Sequence, residues 1–223
     1  MNSDQAAEQL AMQELSSRLN LIETMIAQGR QKTESWGWTY LLWGVAYAGA
    51  IIASNLGWPV QEWSSWGHRS LAWPIAVVSA FIAMFVIIMT RARRGPSEPD
   101  TTAGRAIWAM WIAMGISMFL LLQTAGMSGR LDQQLFVAIV AAMLGTTNAA
   151  SAILLKWRVQ FGCAVVWWAT AVTACLVSVS ACTIVFLIAI FLCQIVFGGY
   201  CMIAEARQRA ALAANAPTGA AHA

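Results

Sequence analysis

Charge and histidine are scarce in this chain, and the scarcity identifies its solvent. Of 223 residues, 10% are charged and 59% hydrophobic. A soluble domain carries roughly 25% charged and 45–50% apolar residues. Too few polar side chains are present to cover a water-facing surface, so lipid is the expected surroundings. The ten acidic residues fall at Asp4, Glu8, Glu14, Glu23, Glu34, Glu62, Glu98, Asp100, Asp132 and Glu205, none of them deep in an apolar run. Lysine and arginine are likewise kept to the edges, and the two histidines are His68 and His222. Proton relays, ion-coupled transport and voltage sensing use ionisable groups at depth, and haem needs axial ligands; the chain offers neither. A retinal Schiff base would need a buried lysine, whereas Lys156 stands at the edge of a run.

Motifs are missing as well. No phosphate-binding loop, nucleophile elbow or H-E-x-x-H pattern occurs. The five cysteines (Cys163, Cys175, Cys182, Cys193 and Cys201) form no C-x-x-C pair and have no histidine near them. They read as compact packing residues, not as zinc ligands or a redox pair. The expectation is a protein with no catalytic residues, cofactor or metal. A net charge of +3 is too small to point to nucleic acid. Within the first 30 residues, acidic side chains interrupt every candidate apolar core of a cleavable signal, so the first membrane helix is expected to serve as its own insertion signal.

What the chain does have is six apolar runs, at about 36–56, 71–90, 106–127, 135–155, 159–179 and 181–204. Each is close to the ~20 residues a helix needs to cross ~30 Å of hydrocarbon. The expected fold is all-α, a polytopic transmembrane bundle of about six spans over 35–206. An amphipathic segment precedes it over 1–34 and a flexible tail follows over 207–223. Strands of a membrane barrel would alternate over about ten residues, which these runs do not. Lys156, Trp157 and Arg158 alone separate the fourth run from the fifth. Between the fifth and sixth the only markers are Ser178, Ser180 and Thr183, and a tight helical hairpin is expected there.

Basic residues orient the bundle. The N-terminal segment holds Arg18, Arg30 and Lys32; alternate connections hold Arg91, Arg93, Arg94, Arg105, Lys156 and Arg158; the C-terminal end holds Arg207 and Arg209. The opposite connections hold only Arg69 and Arg130 of the thirteen. By the positive-inside rule both termini face the cytoplasm.

Residues 3–30 read as an amphipathic helix. Leu15, Leu19, Ile22 and Ile26 recur at steps of four, three and four and so share one stripe, which needs a covering surface. Lipid, the protein's own cytoplasmic face, a second copy and another protein all qualify, although the charged face is more acidic than a helix bound to anionic lipid would have. Gly29 reads as the C-cap residue. Trp36, Trp38 and Trp43 mark one end of the first span. Trp58, Trp63, Trp66 and Trp73 crowd the first outer connection, as an aromatic belt or, with Glu62, His68 and Arg69, as a platform for a ligand or partner.

The fourth run carries the most polar interior. Thr146, Thr147, Asn148 and Ser151 form a patch that Ser117 and Gln123 of the third run could face. It reads either as hydrogen-bonding glue between helices or as the lining of a cavity. Ala141, Gly145 and Ala149, at steps of four, provide a close-packing surface, and Gly44 with Ala48 a contact for self-association.

The stretch LIETMIAQGRQKTESWGWTYLLWGVAYAGAIIA, with Tyr40, Leu41, Leu42, Trp43 and Gly44 at its heart, resembles the opening of uncharacterised bacterial multi-pass membrane proteins, in which a short amphipathic helix leads into an aromatic first span. The resemblance covers about the first quarter of the chain. It implies a bacterial inner-membrane protein and carries no catalytic residues. Two functional expectations stand side by side: a scaffold, accessory subunit or regulator that binds a protein partner, and a transporter or channel for a small neutral or apolar solute.

Overall fold

A computed structural model describes residues 3–56, 60–61, 69–70, 72–92, 102–128 and 131–214. They form helices α1 (Ser3–Glu34), α2 (Gly37–Asn55), α3 (Ala72–Ala92), α4 (Thr102–Met127), α5 (Gln133–Leu154), α6 (Arg158–Leu176), α7 (Val179–Ile190) and α8 (Phe197–Ala214). A π-helical turn, Phe191–Val196, joins α7 to α8, so 179–214 is one unbroken helical rod. A two-residue antiparallel ribbon pairs Val60 with Ser70 and Gln61 with Arg69 between α2 and α3.

Four segments are long and apolar enough to cross a membrane: Gly104–Leu122, Gln133–Leu154, Arg158–Leu176 and Val179–Ala211. Ile75–Thr90 of α3 is apolar but shorter. The 19-residue α2 is diluted by aromatics and glycine, among them Trp38, Tyr40, Trp43 and Tyr47. At 1.5 Å per residue the 33-residue segment of the last rod reaches about 50 Å, well beyond ~30 Å of hydrocarbon. Its end around Arg207 and Arg209 therefore stands clear of any bilayer that encloses its apolar part.

The α5–α6 hairpin is the most closely packed pair; the last rod lies against both of its helices, α4 against α5, and α2 against the last rod and α3. Ala141, Ala164, Ala174, Cys182, Ile190 and Cys201 are fully buried, and Trp167, at 1% exposure, packs edge-on against Phe186 in the same core. Small residues let the backbones approach where lipid supplies no hydrophobic drive for helix association. Gly145 is one such contact: a Cβ there would fall 2.5 Å from Cδ1 of Trp168. Gly44 is another, but inside the protein, since a Cβ on it would lie 2.7 Å from Cβ of Gln194. The surface expected to serve self-association is thus occupied by the chain's own last rod.

Turns close the hairpins economically. Asp132 caps α5 by accepting a hydrogen bond from the Leu135 amide at 2.7 Å. At its other end α5 finishes in a Schellman arrangement. The Trp157 amide donates to the Ala152 carbonyl at 2.8 Å and the Lys156 amide to the Ile153 carbonyl at 3.2 Å. Lys156 takes the left-handed conformation, φ 50°, that glycine usually fills there. Between α6 and α7 the reversal occupies only Val177 and Ser178. Gln134 of α5 donates to the Val177 carbonyl, and Gln133 donates to Thr183 Oγ1 at 2.6 Å.

Helix α1 does not stop at Gly29. It continues to Glu34, and Gly29 is buried where α1 meets the bundle. The glycine penalty of about 0.5–1 kcal/mol is offset by packing of the C-terminal half of α1 against α4 and α8.

Candidate functional site

The buried polar side chains concentrate on α5, α6 and the π-turn: Thr147, Asn148, Ser151, Gln160, Thr170 and Gln194. Helix α5 meets most of its own needs. The Thr147 hydroxyl donates to the Met143 carbonyl at 2.9 Å and the Asn148 amide to the Leu144 carbonyl at 2.8 Å, each within the helix. The Thr170 hydroxyl does the same toward Val166 at 2.9 Å. Such back-bonding hides a polar group at depth without tying it to a neighbour.

The turn end of the hairpin differs. Gln160 Nε2 of α6 donates to the Tyr40 hydroxyl of α2 at 3.4 Å, a long bond that links these two helices. Ser151 Oγ, Gln160 Oε1 and Trp157 Nε1 are buried and find no partner among the described residues. The Phe197 ring touches both Tyr40 and Trp157, with centroids 5.2 Å away in each case. Tyr40 also meets Trp111 of α4 edge-on at 5.8 Å. Aromatic rings from α2, α4, α8 and the α5–α6 turn thus form one cluster around Tyr40, beside the Gln160 amide, and the partnerless donors and acceptors near this turn are of a kind that water or a neutral hydrogen-bonding molecule satisfies.

The patch read from the sequence is brought together only in part. Thr147, Asn148 and Ser151 point inward. Thr146 is exposed and bonds back to Ala142 at 2.9 Å. Ser117 lies on the exposed face of α4. That helix packs inward through Ile107, Trp111, Met114 and Met118, a stripe on which Ser117 has no place. The Gln123 side chain lies outside the described residues, as do Trp58, Trp63, Trp66, Glu62, His68 and the side chains of Arg69 and Trp73. Gln160 and Gln194 were not singled out from the sequence, and Tyr40 was named only within the resembling segment, not as a site residue. Gln194 gave a usable signal, being the lone amide in the most apolar run of the chain; its π-turn directs both Cys193 and Gln194 inward. Gln160, two residues after Arg158, reads as an interfacial residue, and only the packing reveals that it is fully buried.

The stripe on α1 is the second feature. Leu15, Leu19 and Ile22 are 61%, 54% and 52% exposed, while Ile26 is half-buried. The helix is fastened at its C-terminal half, where Gly29 is buried and the Arg30 guanidinium sits 5.4 Å from the Trp157 ring. The stripe therefore begins in the bundle and runs out uncovered.

Among the described residues no three His, Cys, Asp or Glu side chains gather in a way that could hold a metal ion. The buried polar side chains among the described residues are hydroxyls and amides, with indoles and thiols beside them, groups that bind and orient a neutral molecule. No family model, curated protein or solved structure matches the chain.

Proposed function

We propose that this chain is a non-enzymatic protein of a bacterial inner membrane, crossing it six times with both termini in the cytoplasm, and that it serves a membrane complex as scaffold, accessory subunit or regulator. The exposed stripe Leu15, Leu19 and Ile22 carries the reading. A helix held firmly at one end presents an apolar face over several turns, and such a face is read by a partner's groove or by another helix at i, i+3, i+4 and i+7. The six crossings comprise the four long apolar helices plus α2 and α3. The orientation rests on the grouping of basic residues at one end. The resemblance of the first quarter of the chain supports the bacterial assignment. Replacing Leu19 and Ile22 together by Asp should release a co-purifying polypeptide from gently solubilised membranes. Unchanged association would refute the docking role.

A second reading is favoured by the partnerless Ser151 Oγ and Gln160 Oε1. Buried polar atoms without protein partners are where a small neutral solute, or the water that accompanies it, finds its hydrogen bonds. In that case the chain is a transporter or channel for such a solute, and Asn148, one turn away from Ser151, lines the path. Flux through reconstituted vesicles should then vanish in Asn148→Leu while the fold persists. Full flux in the variant would count against transport along this helix.

A further inference from the structure

A cavity of about 490 Å³ opens at the basic end of the bundle, between α1, the α5–α6 turn and α8. Its size lies within the ~300–1,000 Å³ range of small-molecule sites. Arg30 and Gln208 line it from two helices, Lys156 from the turn, and Glu23 from two turns earlier on α1. Ile26 and Leu155 close its apolar wall.

We propose that this cavity binds a phosphate ester, and that its occupant is the head group of a membrane phospholipid. The inference rests on the reading that the bundle crosses a membrane, and is independent of partner docking by the α1 stripe. Three observations converge. First, two cations from different elements face one cavity, and one of them is held in advance: the Arg30 guanidinium lies 5.4 Å from the ring of the buried Trp157. A planar guanidinium is suited to paired N–H contacts with phosphate oxygens, and an ammonium adds a mobile point charge. Second, Lys156 holds a left-handed backbone position that glycine would fill without strain. A lysine in this place adds a charge to the C-terminal end of α5 and, equally, to the cavity that it lines. Third, the surroundings suit a lipid. Ile153, Leu154 and Val159, adjacent to the turn, are 68%, 48% and 47% exposed, leaving apolar surface for acyl chains beside the cations. Basic pockets between membrane helices on the cytoplasmic side are suited to this class of ligand.

Glu23 refines the choice of head group. A carboxylate repels phosphate but accepts a hydrogen bond from an amine or hydroxyl. Seven residues separate Glu23 from Arg30, about 10 Å along the helix. A phosphodiester at Arg30 and Lys156 can therefore direct an ethanolamine or glycerol group toward Glu23. A choline head group, with no donor, forms no such bond.

The test uses the full chain, purified in detergent and stripped of lipid, titrated with phosphatidylethanolamine, phosphatidylglycerol and phosphatidylcholine and read by native mass spectrometry. Glycerol 3-phosphate serves as the soluble phosphate ester. The wild type should retain one phosphatidylethanolamine or phosphatidylglycerol molecule in preference to phosphatidylcholine. Arg30→Gln with Lys156→Gln should weaken retention by about tenfold or more, the scale of a lost charge-assisted contact, whereas Arg209→Gln, whose guanidinium pairs with Glu205 outside the cavity, should leave it unchanged. Glu23→Gln should narrow the preference over phosphatidylcholine. If the double variant also loses helical content, Lys156→Gly decides: it relaxes the turn and should still release the lipid. Equal retention in the wild type and Lys156→Gly overturns the proposal. Glycerol 3-phosphate bound as tightly as lipid overturns the lipid assignment and makes the site one for soluble esters. Lipid loss in every variant, Arg209→Gln included, overturns it in favour of general instability, and failure of the wild type to enter membranes at all refutes the membrane reading itself.

Discussion

Gly37 of α2 and Gly198 of α8 meet backbone to backbone: a Cβ built on either residue would fall 2.9 Å from the carbonyl oxygen of the other. Real Cβ atoms do not approach oxygen so closely, and backbone cannot swing aside as a side chain can. Alanine at either position should therefore push α2 away from the last rod and cost about 1–3 kcal/mol. Gly49 and Gly162 have nothing within 4 Å of the corresponding point. Alanine at those two should be neutral or stabilise by up to about 1 kcal/mol through helix propensity. Reversible denaturation of the four variants in mixed micelles checks the contrast.

Gly145 is crowded by a side chain, which predicts a gentler outcome. Trp168 is 38% exposed and has room to rotate, so Gly145→Ala should cost less than Gly37→Ala even though its nominal contact, 2.5 Å, is shorter. Tryptophan fluorescence should report the movement. A loss of stability equal to that of Gly37→Ala would mean that the ring is locked.

Asn148 and Gln160 are both buried amides, but they differ in where their bonds go. Asn148 bonds within its own helix, so Asn148→Leu should change stability by less than about 1 kcal/mol. Gln160 reaches Tyr40 on another helix, and Gln160→Leu leaves that hydroxyl without its partner, at a cost of about 0.6–1.7 kcal/mol. A double-mutant cycle of Gln160→Leu with Tyr40→Phe measures the coupling.

The α1 stripe should be separable from the bundle. Leu15, Leu19 and Ile22 are already exposed, so Leu19→Asp with Ile22→Asp should leave the unfolding midpoint within the range of about 0.5 kcal/mol typical of surface changes. Any larger loss in the full membrane-extracted assembly would then report a partner that the isolated chain lacks.

The α5–α6 turn was the most legible boundary in the sequence. The charges at Lys156 and Arg158 mark the α5–α6 turn, and Ser178 is the N-cap of α7, because charge and hydroxyl are costly inside an apolar run and collect at its ends. Which face of each helix turns inward was much less legible. Helix α4 is apolar all round, so no moment distinguishes the packed stripe at Ile107, Trp111, Met114 and Met118 from the lipid-compatible one at Ile112, Ile116, Phe119 and Leu120, and Ser117 falls on the latter side. In a soluble protein the polar face would have given the answer. Gly29 misled for a related reason: a glycine near charged residues looks like a helix terminus, yet here its bare backbone lets α1 press against the bundle and continue to Glu34. The burial of Gln160 against Tyr40 depends on a contact between residues 120 positions apart, which no local pattern encodes.

The π-turn at Phe191–Val196 makes the last rod sensitive to length in a way that it is not sensitive to composition. One surplus residue in a helix rotates everything beyond it by about 100° relative to everything before it. In this rod that rotation sets the phase between Cys182, Phe186 and Ile190 on one side and Gly198, Cys201 and Gln208 on the other. Exchanging half-buried Ile195 for Val or Leu leaves the phase intact, but removing it would restore a regular helix and turn Gly198 off Gly37 and Gln208 off the basic cavity together. Insertions and deletions here act as rotations of a shaft, coupling helix packing at one level to the cavity nearly three turns further along.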